Sequence, residues 1–133
     1  MAQDTGWSSS EGAIDIECIL DEAMAEAFVL VKIATDGDVG IADNATDEGI
    51  GVLQVAGASG DRRDIRLQGV SFVRQSAAIN AGVAITATTN GKGVAASDGN
   101  HVYGKTLASG TYVDEVVPCL ILPGTYNIED IAG

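Results

Sequence analysis

The chain has 133 residues, 46% of them apolar, with 17 glycines, two prolines and a net charge of −12. That length fits one domain whose core needs no obligatory staples, and the acidic balance argues against nucleic acid, whose phosphates require a basic surface. No run approaches the ~18 apolar residues of a membrane span, and the acidic N-terminus lacks the basic and apolar regions of a signal peptide, so neither membrane nor signal-led export is expected.

Residues 1–13 form a polar, Ser- and Gly-containing arm around Trp7, the only tryptophan. An aromatic on such an arm is a candidate interface anchor; tucking back onto its own domain is the competing reading. Residues 14–27 are ambiguous, because the apolar positions fit a helical stripe and Ile14, Ile16, Cys18 and Leu20 fit strand alternation equally well. A repeat decides between them, as follows.

From Phe28 a strand is expected to about residue 34, then an Asp36-Gly37 turn, a short return over 39–42, a polar loop and a strand over 50–56. Asp-Gly tolerates positive φ at both centres of a two-residue hairpin. The Gly57 to Asp61 turn leads into Asp64-Ile65-Arg66-Leu67-Gln68, where polar and apolar residues alternate, and Gly69 marks a bulge or corner before Val70 to Arg74. The same scheme recurs roughly 54 residues later, with strands near 83–88, 94–97, 101–107 and 112–122 and an Asn90-Gly91 turn. Met24-Ala25-Glu26-Ala27 then aligns with Ile79-Asn80-Ala81-Gly82, a poor helix, which favours a strand to Leu20 and a loop to Ala27. The expected fold is therefore all-β: a small β-barrel or β-sandwich over 14–124 built from two diverged copies of one β unit (27–69 and 82–124), with an N-terminal arm and a short tail over 125–133.

The run Val116 to Leu122 is almost wholly apolar, as in a strand covered on both sides, and Pro118 within it points to a sheet edge or bulge. An apolar strand with an open edge implies burial against another subunit or a closing strand. Leu120 and Leu122 are its candidate contact residues.

Charge is unevenly distributed. Residues 1–48 hold twelve of the nineteen acids against one base, Lys32, whereas Arg62, Arg63, Arg66 and Arg74 fall within thirteen residues. These arginines are candidates for ion pairs with a neighbouring copy or another protein. Cys18 and Cys119 sit in apolar runs at non-equivalent places and are expected to stay reduced, though pairing stays open.

Catalytic chemistry finds little support. There is one histidine, His101, and there is no nucleophile elbow, P-loop or dinucleotide fingerprint. The acids from Asp36 to Glu48 lack the register of a calcium-binding loop, and few aromatics are present to stack sugars. No enzyme activity, cofactor or metal is expected.

Three phrases then become informative together: Leu30-Val31-Lys32-Ile33-Ala34 into an Asp-Gly turn, Gly49-Ile50-Gly51-Val52-Leu53, and an alternating strand ending Leu67-Gln68-Gly69-Val70. With Ala77 to Gly82, Tyr103-Gly104-Lys105 and the closing Leu120-Ile121-Leu122-Pro123-Gly124, the chain resembles the capsid cement or decoration proteins of tailed bacteriophages over about residues 28–124. The resemblance implies a structural virion protein, made in the host cytoplasm. It would bind the outer surface of the capsid as a homotrimer, with the major capsid protein and itself as partners. It brings no catalytic residues. A virion-surface binding module, such as an adhesin or glycan-binding head domain, is the alternative.

Overall fold

The computed structural model describes residues 12–127, without the side chains of residues 35 and 123–127. Nine strands follow in order: β1 (Ile14–Ile19), β2 (Leu30–Ile33), β3 (Val39–Ile41), β4 (Gly49–Leu53), β5 (Arg62–Arg74), β6 (Ala84–Ala87), β7 (Gly93–Ala95), β8 (His101–Thr106) and β9 (Val116–Asn127). Every strand pairing is antiparallel, in the order β3-β2-β4-β5-β9-β8-β6-β7, with β1 added to β5. The fold is all-β and barrel-like.

This order has an internal logic. Around the first part of β5 lie β1, β4, β2 and β3; around the first part of β9 lie the second part of β5, then β8, β6 and β7. Each half is thus a five-stranded sheet, and the long strand β5 closes the first while opening the second. The changeover falls at Gly69, with φ of 108° inside the strand. Ala13 lies 3.0 Å from where a Cβ would stand, so both the backbone angle and the space call for glycine.

Hydrogen bonds repeat along with the strands. Met24 and Gly57 exchange two backbone bonds, as do Ile79 and Gly110. Leu20 N–H donates to Asp61 O while Gly60 N–H donates to Leu20 O; Gln75 stands between Glu115 and Asp114 in the same way. The equivalence therefore reaches back through β1, further than side-chain similarity does. It also agrees with the strand reading of residues 14–20.

Both hairpin turns carry positive φ where the dipeptides require it: 64° and 84° at Asp36 and Gly37, 64° and 75° at Asn90 and Gly91. Each turn is wider than the expected two-residue form. It spans Thr35–Gly37 or Thr89–Gly91 and is closed by Ala34 N–H to Asp38 O or Thr88 N–H to Lys92 O.

Leu30 and Val31 are both fully buried, although successive strand residues face opposite ways. Val31 joins Leu20, Met24, Val39, Leu53 and Ile65 in a core belonging to the first half. Leu30 joins Ala42 and Val52 with Ile85, Tyr103 and Ile121 in a core shared by both halves. The first sheet is covered on one face by its own 20–24 segment and on the other by the second half. Further clasps are His101 N–H to Ala45 O at 2.8 Å and Arg74 N–H to Phe28 O at 2.8 Å.

The C-terminal run departs from expectation. β9 lies between β5, which pairs with Val116 to Ile121, and β8, which pairs with it from Cys119 onward, so of the two expected coverings it is a closing strand of the same chain that is found. Pro118 is accordingly in a central strand. Its carbonyl accepts from Leu107 N–H, beyond the last β8 pair at Thr106↔Cys119, so its missing N–H falls where the ladder has already ended. Nor is the run covered on both faces: Val117, Cys119 and Ile121 are buried, while Val116 and Leu120 face out.

Candidate interaction surfaces

The four arginines on β5 do not act as one outward cluster. Arg62 is the most exposed, its side chain 65% accessible and 4.0 Å from Glu17. Arg63 folds back on the chain, donating to Ala56 O, Arg62 O and Asp61. Arg66 grips Asp15 on β1 through Nε and Nη2, and its Nη1 donates to Val70 O past the Gly69 corner at 2.8 Å. Arg74 reaches Ala27 O and Asp114 O, both at 3.4 Å, and so ties the two halves together. What sequence reasoning lacked was the long-range partners of Arg66 and Arg74.

Around the Arg66 corner lies a shallow pocket of Phe28, Gln54, Arg66, Ser71 and Phe72. The two phenyl rings meet edge to face at 5.7 Å, a favoured aromatic geometry. Gln54 donates to Ser71 Oγ, and Ser71 Oγ to Phe72 O. The Ser71 bond to Phe72 O and the Arg66 bond to Val70 O occupy backbone acceptors along this part of β5 and blunt it toward other strands.

The acids of residues 36–48 do not converge. Asp47 is occupied by Lys32 Nζ and Asp43 N–H, both at 3.0 Å. Burial pushes its carboxyl up, but the bonds from Lys32 and from backbone N–H groups outweigh this and hold it below the ordinary range. The same bond raises Lys32. Among the described residues no three His, Cys, Asp or Glu side chains gather as metal ligands would. His101 is buried and stacks edge-on against Tyr103, ring centres 5.2 Å apart. It is part of the packing between the halves.

Leu120 is 36% exposed and Leu122 half-buried on the outer face of β9. Across the strand pair, Val70 lies opposite Leu120, Phe72 opposite Pro118 and Arg74 opposite Val116. Close by is the loop before β9, where Tyr112 and Val113 are 64% and 59% exposed. Glu115 anchors this loop by accepting from Thr111 N–H and Tyr112 N–H. Sequence reasoning named Leu120 and Leu122 but missed Phe72, Tyr112 and Val113; the exposed Tyr-Val pair beside a turn was the available signal. Trp7 lies outside the described residues.

No family model and no curated protein matches the chain. Among solved structures, it is similar to the head fiber gp8.5 N base of bacteriophage phi29, with a TM-score of 0.62 and 17% sequence identity. The match covers 82% of this chain and 93% of that one. At such identity the likeness is one of fold.

Proposed function

We propose that the chain is a structural virion protein that binds the outer surface of a phage capsid and stabilises it, acting as a homotrimer without enzymatic activity. The observation that carries the reading is the fold it shares, over most of both chains, with a bacteriophage head fiber base. The sequence resemblance to capsid cement and decoration proteins points the same way. The major capsid protein is then the partner, reached through the N-terminal arm with Trp7 and through Arg62, the arginine least engaged within the chain. Repeated weak contacts on a lattice would add by avidity.

The test is to add purified protein to capsids lacking it and to measure occupancy by co-sedimentation and resistance to heat. Saturable binding with a raised disruption temperature supports the reading, and absence of binding sinks it. Deleting residues 1–12 or making Arg62→Glu should lower occupancy. Binding to glycans with no affinity for capsids would favour the adhesin alternative.

A further inference from the structure

The two halves use equivalent strands for opposite kinds of surface. Shared backbone positions set Val116, Pro118 and Leu120 on β9 against Arg62, Asp64 and Arg66 on β5. In the loops before these strands, Tyr112 and Val113 correspond to Ala58 and Ser59, and a carboxylate holds each loop: Asp61 accepts from Ala58 N–H as Glu115 does from Tyr112 N–H. The first half shows that this backbone folds with small or charged residues at all five positions. The apolar content on the second half therefore answers to something other than the fold.

That content is also concentrated. Of the nine large hydrophobics that stand exposed among the described residues, five (Phe72, Tyr112, Val113, Val116 and Leu120) lie on adjoining stretches of β5, β9 and the loop between β8 and β9. A contiguous apolar patch of this kind marks a contact surface.

Charge identifies the occupant. Residues 14–68 carry twelve acidic and four basic side chains, a balance of −8, whereas residues 69–122 carry three of each. Two copies of so acidic a chain repel wherever their first halves approach, and meet without that penalty only through the neutral second half. We propose that copies of this chain associate through the outer face of β5 and β9, second half against second half, with the acidic first halves turned away. This gives the proposed homotrimer its contact face and rests on that reading.

The experiment is light scattering of the full chain alone, at concentrations up to about 100 µM because association follows mass action. Wild type is expected as an oligomer. The double variant Val116→Arg/Leu120→Arg, which copies the first half, is expected as a monomer with unchanged circular dichroism. Arg62→Glu should remain an oligomer. Should the double variant fail to fold, Tyr112→Ala/Val113→Ser copies the first half at the loop alone and should weaken association about tenfold or more. Monomeric wild type, or variants that associate as tightly as wild type, overturns the proposal. Capsid binding is measured separately: a monomeric wild type that still binds capsids removes this face and leaves the capsid reading standing. Oligomers that dissociate as expected but never bind capsids keep the face and remove the capsid reading.

Discussion

Arg66 and Asp15 stand 51 residues apart and are joined by two hydrogen bonds, Nε to Oδ1 at 2.8 Å and Nη2 to Oδ2 at 3.2 Å. A further contact of the guanidinium, to Val70 O, reaches past Gly69. One side chain thus holds the strand that opens the first half, the strand that closes it and the start of the second. Its side chain is 10% exposed and that of Asp15 29%, so water screens the pair only in part. Asp15→Asn should destabilise the chain by about 2 kcal/mol, because a nearly buried guanidinium loses its counter-charge. The double variant Asp15→Val/Arg66→Leu should lose less than Asp15→Val and Arg66→Leu together, since it removes both charges and copies Leu120. Urea unfolding of the set decides: additive losses would show that the bonds are not coupled.

A close backbone approach occurs at the same place in both halves. A Cβ at Gly51 would overlap the carbonyl oxygen of Arg66, and one at Gly104 that of Leu120. No rotamer change relieves a clash between Cβ and backbone. Gly51→Ala and Gly104→Ala should each cost about 3 kcal/mol or more, by forcing strands apart in a packed sheet. Gly12→Ala is the comparison: its φ is 78°, but no atom of the described residues lies within 4 Å of the added Cβ. A melting temperature lowered as much by Gly12→Ala as by the other two would refute the steric account.

These relationships also show what a sequence exposes and what it hides. The Asp36-Gly37 and Asn90-Gly91 turns were legible because few residues accept positive φ. Phe28 holds φ of 68° without advertising it, while Gly82 does the same service in the second half at 81°. The repeat was legible from Phe28 onward and faint in β1, where the correspondence survives in backbone bonds more than in side chains. The arginines looked outward because Asp15, Ala27 and Asp114 are distant in the chain. Pro118 looked like an edge residue because the rule concerns where an N–H points, and a central strand can outrun its neighbour. The apolar run of β9 concealed its alternation, since Val116 and Leu120 face solvent with the same side-chain chemistry as the core.

The Lys32–Asp47 bond makes a pH prediction whose sign follows from the two shifts. Asp47 titrates below its ordinary value, so its contribution is present above the unfolded carboxylate range and fades as pH falls through the folded one. Lys32 titrates above its ordinary value, so its contribution is present below the unfolded amine range and fades as pH rises through the folded one. The pair should therefore stabilise across the neutral range and weaken toward both extremes. Asp47→Asn should lower stability near pH 7 by about 1 kcal/mol, a modest figure because Lys32 is 32% exposed. The difference from wild type should shrink at acid pH. Denaturant titrations across pH that gave a constant difference would rule the pair out as its origin.

Gln75 supplies the last test, because its counterpart in the first half already contains the alternative. It is fully buried, and among the described residues neither its amide nitrogen nor its oxygen has a hydrogen-bond partner. Leu20, which makes the equivalent backbone bonds, is 1% exposed and packs into an apolar core. Burying an amide without partners costs of order 1–3 kcal/mol. Leucine has nearly the same length and no such demand. Gln75→Leu should therefore stabilise the chain by about 1–2 kcal/mol, read as a shift of the urea midpoint at constant slope. Gly110 is the sensitive neighbour, since a Cβ there would stand 2.6 Å from the Gln75 oxygen. Gly110→Ala should be destabilising in either background. Loss of stability on Gln75→Leu would mean that the amide is satisfied in solution, for instance by a buried water.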